Sequence, residues 1–279
     1  MFQPDLLVGQ RILITGGGTG LGKAMGRRFL ELGATLAICG RRAEVLEATA
    51  AEHRAATGGK VETVACDIRD PAAVEAMLDG LFAGQPLDAL VNNAAGNFIA
   101  RSETLSPRAV DAVLDIVLRG SASCTLGCGR RWLAAGRAGT VLSILATYTS
   151  SGSAYVLPSA MAKAGVLAMT RSLAVEWGRR GIRLNAIAPG PFRTEGAREN
   201  LLPTTEIEET FATRNPLGRA GNPAELANLA AFLLAGGSGF INGEVVTIDG
   251  GDWIKGAGQF SFLESLSDEA WAALRPRKR

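Results

Sequence analysis

The chain has 279 residues, 47% hydrophobic and 20% charged, which is ample for a buried core and excludes a disordered polymer. Its 29 Lys and Arg against 27 Asp and Glu leave a net charge of +2 with both signs interspersed, so no electrostatic case for nucleic acid arises. No apolar run reaches the roughly 18 residues of a membrane span and no basic leader opens the chain, so the expectation is a soluble, cytoplasmic protein.

In chain order, the run 11–15 is apolar, bounded by glycines, and reads as a buried strand; 20–32 then has helical periodicity and stops at Gly33. The alternation repeats. Further strands are expected at 35–39, 61–65, 89–91, 140–145, 183–187 and 245–248, with helices near 44–57, 71–82, 107–134, 160–178 and 223–235. Apolar strands alternating with helices argue one α/β domain, a Rossmann-like doubly wound parallel sheet of about seven strands spanning 1–279. The least regular stretch, 190–215, carries Gly190, Pro191, Gly196 and Pro203 and reads as a substrate-binding loop; 251–279 reads as a C-terminal extension. Its basic end, 275–279, is taken as a solvated tail.

Cys39, Cys66, Cys124 and Cys128 have no Cys-x-x-Cys spacing, and the one histidine, His53, sits between Glu52 and Arg54. The thiols are read as buried and reduced, with no metal site, and His53 as exposed. One histidine remote from every motif excludes Ser-His-Asp and Cys-His hydrolysis.

The turn from Thr15 to Gly22 lies between a strand and a helix. Gly16, Thr19, Gly20, Leu21 and Gly22 are expected there to let a dinucleotide pyrophosphate approach the backbone and rest on the helix N-terminus. After the second strand come Arg41 and Arg42 where an NAD site usually carries a carboxylate. Guanidinium matches a phosphate with forked hydrogen bonds, so NADP(H) is the expected cofactor, with Arg41 on the 2′-phosphate.

Thr15 to Gly22, the run Asn92-Asn93-Ala94-Ala95-Gly96, Lys163 and Pro189-Gly190 together resemble the short-chain dehydrogenase/reductase family across residues 8–250. The resemblance implies adenine contacts at Asp67 and Ile68, with a helix N-cap as the competing role for Asp67. It further implies cofactor contacts at Asn93, Ala94 and Lys163, and nicotinamide contacts at Pro189, Gly190 and Thr194. Two positions depart from the family: Ser159 stands where the active-site tyrosine is expected, and Val117 where an asparagine is.

Gly96-Asn97-Phe98-Ile99, Tyr148, the run 158–166 and Ala188-Pro189-Gly190-Pro191 are similar to one branch, the 2,4-dienoyl-CoA reductases, and most of all to the mitochondrial type. What that resemblance implies is NADPH-dependent reduction of a fatty acyl-CoA thioester, as an auxiliary step of unsaturated fatty-acid β-oxidation, by a homotetramer. Its catalytic positions fall on Asn97, Tyr148, Ser159 and Lys163. Hydride delivered to the far end of a conjugated thioester gathers charge on the thioester oxygen, so the site needs hydrogen-bond donors there, and Tyr148 and Asn97 supply them. Tyr155 is the rival donor. Arg193, Arg198 and Arg214 are weaker candidates for the coenzyme A phosphates. Taken alone, Tyr148 reads equally as a packing residue, Asn97 as a turn residue and Ser159 as a helix start. Two alternatives stand beside this reading: a reductase of another enoyl or carbonyl substrate, and a silent NADP-binding module.

Overall fold

Seven short apolar runs become seven parallel strands: β1 (Arg11–Thr15), β2 (Thr35–Gly40), β3 (Val61–Ala65), β4 (Ala89–Asn92), β5 (Gly139–Ile144), β6 (Ile182–Pro189) and β7 (Val245–Ile248). They lie in the order β3-β2-β1-β4-β5-β6-β7. The structure is a computed structural model and describes residues 2–194 and 204–274. Strands buried on both faces alternate between two cores. Ile12 and Ile14 point to one side with Ile38, Val91 and Leu142, while Leu13 points to the other with Ala37, Leu90 and Val141.

Helices fill both sides. α1 (Gly20–Glu31), α2 (Ala43–Thr57) and, late in the chain, Pro223–Leu234 bury Met25, Phe29, Leu46 and Leu226 on the first face. α3 (Pro71–Ala83), α5 (Gly120–Ala134) and α6 (Leu157–Trp177) bury Leu78, Trp132 and Trp177 on the second. This is the single-domain α/β sheet expected, with boundaries moved by a few residues. All four cysteines are free and buried; burial pushes the Cys128 thiol up to about 12.

Three local features differ from the sequence reading. The helix expected over 107–134 is divided: α4 (Pro107–Leu114) passes into α5 through a π-helical turn, Asp115–Arg119, that holds Val117 in the core. The loop expected over 190–215 contains a helix, α7 (Thr205–Thr213), because Thr204 caps it by accepting from Ile207 N–H at 3.2 Å and Glu206 and Glu208 sit in its first turn. Pro223–Leu234 is thus α8, and the segment after Gly251 forms two short helices, α9 (Asp252–Ala257) and α10 (Asp268–Ala273).

The third difference is His53, which is 1% exposed, a correction to the expected solvent position. Leu46, Thr49, Ala50 and His53 share the inward stripe of α2, so the helical period overrides the charged neighbours. Neither ring nitrogen has a hydrogen-bond partner.

Candidate active site

Sheet order reverses between β1 and β4, and their carboxyl ends open a crevice there, the place where doubly wound sheets bind ligands. The two turns are laced together. Thr15 Oγ1 accepts from the backbone N–H groups of Asn93 and Ala94, both at 3.0 Å, and Asn93 Nδ2 donates to Thr15 O at 3.0 Å and Gly16 O at 3.1 Å. Gly16 has φ +66°, a left-handed conformation that glycine adopts freely. A Cβ on Gly22 would overlap Gly16 O and come within 2.6 Å of Asn93 Nδ2. Thr49 Oγ1 on α2 donates to Gly18 O at 2.7 Å and fixes the rest of the turn.

The resulting cleft has a volume of about 460 Å³. It gathers most of the expected cofactor positions: Gly16, Thr19, Gly20 and Leu21 of the turn, Arg41, Asp67 and Ile68 at one end, Asn93 and Ala94 in the middle, Lys163, Pro189 and Thr194 at the other. Gly22 and Gly190 stand behind this surface. A Cβ on Gly190 would come within 2.5 Å of Asp249 Cβ, and Thr194 lies 3.7 Å from where a Cβ on Gly20 would stand. No side chain caps α1 at Thr19, so its first N–H groups are left to an incoming anion. A turn that excludes side chains, an uncapped helix start and the exposed Arg41 beyond it fit a dinucleotide phosphate.

Asp67 is not a helix cap. Asp70 caps α3 by accepting from Ala72 N–H at 2.8 Å, while the Asp67 carboxylate takes Arg69 Nη2 at 2.5 Å and Nε at 3.0 Å. That guanidinium, with Arg41 contributing less, holds the Asp67 carboxyl below its ordinary range.

At the opposite end stand the four side chains expected to be catalytic. Tyr148 comes from a 3-10 turn (Thr147–Thr149) after β5; Ser159 and Lys163 lie one turn apart on α6; Asn97 follows β4. The Tyr148 hydroxyl is 2.9 Å from Ser159 Oγ, and Asn97 Nδ2 donates to it at 3.5 Å. Asn97 Oδ1 accepts from Phe98 N–H at 2.9 Å, which turns the amide NH2 toward the phenol. Ser159 is 2% exposed and Lys163 7%. Burial raises the Tyr148 phenol above its ordinary range, with the Ser159 hydrogen bond opposing, so the hydroxyl keeps its proton at neutral pH. Burial brings the Lys163 ammonium down to about 8, and its Nζ donates to Ile144 O.

Tyr155, the other tyrosine, lies off the cleft and is 60% exposed. Arg193 pairs with Glu209 at 2.6 Å, and Arg214 pairs with Asp252 at 2.6 Å and stacks on Phe211 at 4.9 Å, so both guanidiniums already have acidic partners. Arg198, the remaining candidate for coenzyme A, falls outside the described residues, as does the 275–279 tail. Among the described residues, no helix is long and apolar enough to cross a membrane.

A family profile described as enoyl-(acyl carrier protein) reductase matches residues 16–252. A probable 2,4-dienoyl-CoA reductase of Caenorhabditis elegans, named as producing the (3E)-enoyl-CoA, is 43% identical over 95% of this chain and 88% of its own. A probable 2,4-dienoyl-CoA reductase of Bacillus subtilis, named as producing the (2E)-enoyl-CoA, is 44% identical over 88% of this chain and 96% of its own. The crystal structure of a short chain dehydrogenase from Bacillus anthracis superposes with a TM-score of 0.79 at 40% identity, covering 87% of this chain and 96% of that one.

Proposed function

Because the chain belongs to the short-chain dehydrogenase/reductase family and is an oxidoreductase, we propose that it uses NADPH to reduce a 2,4-dienoyl-CoA thioester to a 3-enoyl-CoA. One observation carries this reading: the tyrosine hydroxyl in the cleft comes from Tyr148, 2.9 Å from the Ser159 hydroxyl and 3.5 Å from the Asn97 amide. A carbonyl reductase needs one acid on the oxygen of the carbon that receives hydride. A conjugated thioester needs donors on an oxygen several bonds from that carbon, and Tyr148 with Asn97 forms such a pair.

A nicotinamide held in this cleft would supply the hydride. Chain residues do the rest. Ser159 Oγ–H donates to the Tyr148 oxygen, which frees the phenolic proton for the thioester oxygen, and Asn97 Nδ2 donates beside it. Donors aimed at a developing oxyanion are typically worth about 10²–10³ in rate each. Lys163, anchored on Ile144 O, sets a cation near the developing dienolate and holds the cofactor ribose. A solvent proton added at Cα completes the 3-enoyl thioester; added at Cγ it gives the 2-enoyl isomer. Arg41 selects the 2′-phosphate, and the described parts of the expected substrate loop, 190–194 and 204–215, border the acyl chain. The same reading carries a homotetramer and a role in β-oxidation of unsaturated acyl chains, with light scattering as the check on the assembly.

The test is NADPH oxidation with 2,4-hexadienoyl-CoA, run beside NADH and a β-ketoacyl-CoA, with the product read by proton NMR. NADPH-dependent turnover of the diene to the 3-enoyl product supports the proposal. Turnover of the ketone alone refutes it, and a 2-enoyl product would move protonation to Cγ.

A further inference from the structure

Among the described residues, one non-glycine residue has a positive φ: Tyr155, at +66°. A bulky aromatic there is an outlier, and such conformations persist where the surroundings impose them. Its side chain does not explain the constraint, since the ring is 60% exposed and lies off the cleft. Its backbone does. Tyr155 O accepts from Ala100 N–H at 2.9 Å, the one backbone hydrogen bond between segment 96–101 and segment 147–156.

Those segments carry the two donors of the proposed oxyanion site. Asn97 sits three residues before Ala100, in a stretch with no ladder partner. Tyr148 sits seven residues before Tyr155, and Gly152 N–H bonds back to Tyr148 O at 2.9 Å, closing the turn between them. Two residues beyond Tyr155, α6 begins and delivers Ser159. The left-handed residue therefore joins the Asn97 segment, the Tyr148 turn and the Ser159 helix. The Asn97–Tyr148 separation of 3.5 Å lies at the outer edge of hydrogen-bonding range, where small shifts between segments matter.

We propose that Tyr155 is a positioning residue whose left-handed backbone, not its phenol, sets the spacing of the Asn97 and Tyr148 donors. This rests on the oxyanion reading above. It predicts that tolerance at 155 follows the ability to adopt positive φ and ignores side-chain chemistry. Glycine and asparagine adopt it; a β-branched residue does not.

The experiment compares Tyr155→Val with Tyr155→Asn and Tyr155→Gly. Two readouts are taken: amide hydrogen exchange at Ala100 without substrate, and steady-state kinetics with 2,4-hexadienoyl-CoA. The expected result is fast Ala100 exchange in Tyr155→Val, with kcat down by about tenfold or more at unchanged NADPH Kd, since misplacement of about 1 Å can cost as much as about 10²-fold. Tyr155→Asn and Tyr155→Gly are expected to recover both protection and most of kcat. Equal losses in all three variants would overturn the proposal in favour of the phenol. Fast Ala100 exchange with an unchanged kcat would also overturn it, because the bond would then not set the donors. A wild-type protein that fails to turn over the diene would sink the oxyanion reading alone, while the exchange data still judge the backbone bond.

Discussion

Replacing Tyr148 with phenylalanine isolates one oxygen atom in the cleft. The ring is half-buried and stays, so packing is retained. The lost hydroxyl leaves two protein contacts, a good one to Ser159 Oγ at 2.9 Å and a marginal one from Asn97 Nδ2 at 3.5 Å. The first removes a neutral hydrogen bond worth about 1 kcal/mol and leaves Ser159, 2% exposed, without that partner, which adds a share of the roughly 1–3 kcal/mol desolvation cost. At about 2–4 °C per kcal/mol for a domain of roughly this size, Tm is expected to fall by several degrees. The kinetic effect is larger. Loss of one oxyanion donor lowers kcat by about 10²–10³, equivalent to about 2.7–4 kcal/mol of transition-state stabilisation. The assay is NADPH oxidation with 2,4-hexadienoyl-CoA, paired with fluorescence titration of NADPH, whose Kd is expected to stay unchanged. A kcat within about threefold of wild type would refute the donor assignment, because no geometry that uses the phenol as an oxyanion donor tolerates its loss so cheaply.

The remaining predictions probe the cofactor end, the lysine and the core. Arg41→Asp is expected to lower the NADPH-to-NADH preference in kcat/KM by about 10–100-fold, the worth of charge-assisted bonds to a phosphate; an unchanged ratio would remove Arg41 from the 2′-phosphate. Lys163, brought down to about 8 by burial, is protonated at neutral pH and loses its charge as pH rises through that value. kcat/KM is therefore expected to fall on the alkaline side of about 8, and a flat profile up to about pH 9.5 would refute the need for the cation. His53 is held below its ordinary value, first by burial and then by the Lys23 and Arg27 charges, with Glu52 opposing. A base depressed in the fold binds fewer protons than in the unfolded chain, so its contribution is fully present above about pH 6.5 and is lost as pH falls through its lower folded value. Thermal melts are expected to show that acid loss in wild type and a shallower one in His53→Leu, which removes two unpartnered ring nitrogens; parallel curves would refute it.

The central sheet was legible because parallel strands there bury both faces and appear as apolar runs, while the edge strand β3 carries Glu62 and Thr63 and exposes part of its length. α7 was not, because Gly196 and Pro203 dominate a reading of that region, although Thr204 with Glu206 and Glu208 after it is a helix-start signal. His53 was misjudged from its charged neighbours, although the spacing 46, 49, 50, 53 already put it on the buried stripe of α2. The π-helical turn at Asp115–Arg119 and the left-handed Tyr155 had no side-chain signature, since both belong to the backbone and follow from what must be joined on either side.

The four candidate residues could be named from sequence, and they meet in one cleft, but their arrangement could not be read there. Eleven positions separate Tyr148 from Ser159, a spacing with no meaning on a helix or a strand. The 3-10 turn at Thr147–Thr149 and the reversal at Tyr155 fold that interval back on itself, and the phenol arrives 2.9 Å from the serine hydroxyl. Ser159 stands on α6 four residues before Lys163, and the phenol reaches the cleft from a loop in contact with Asn97. A donor carried on a loop answers to a second loop, whereas one on α6 answers only to the helix. The oxyanion site proposed here therefore depends on the Ala100–Tyr155 bond in a way that a Tyr-x-x-x-Lys site on one helix would not.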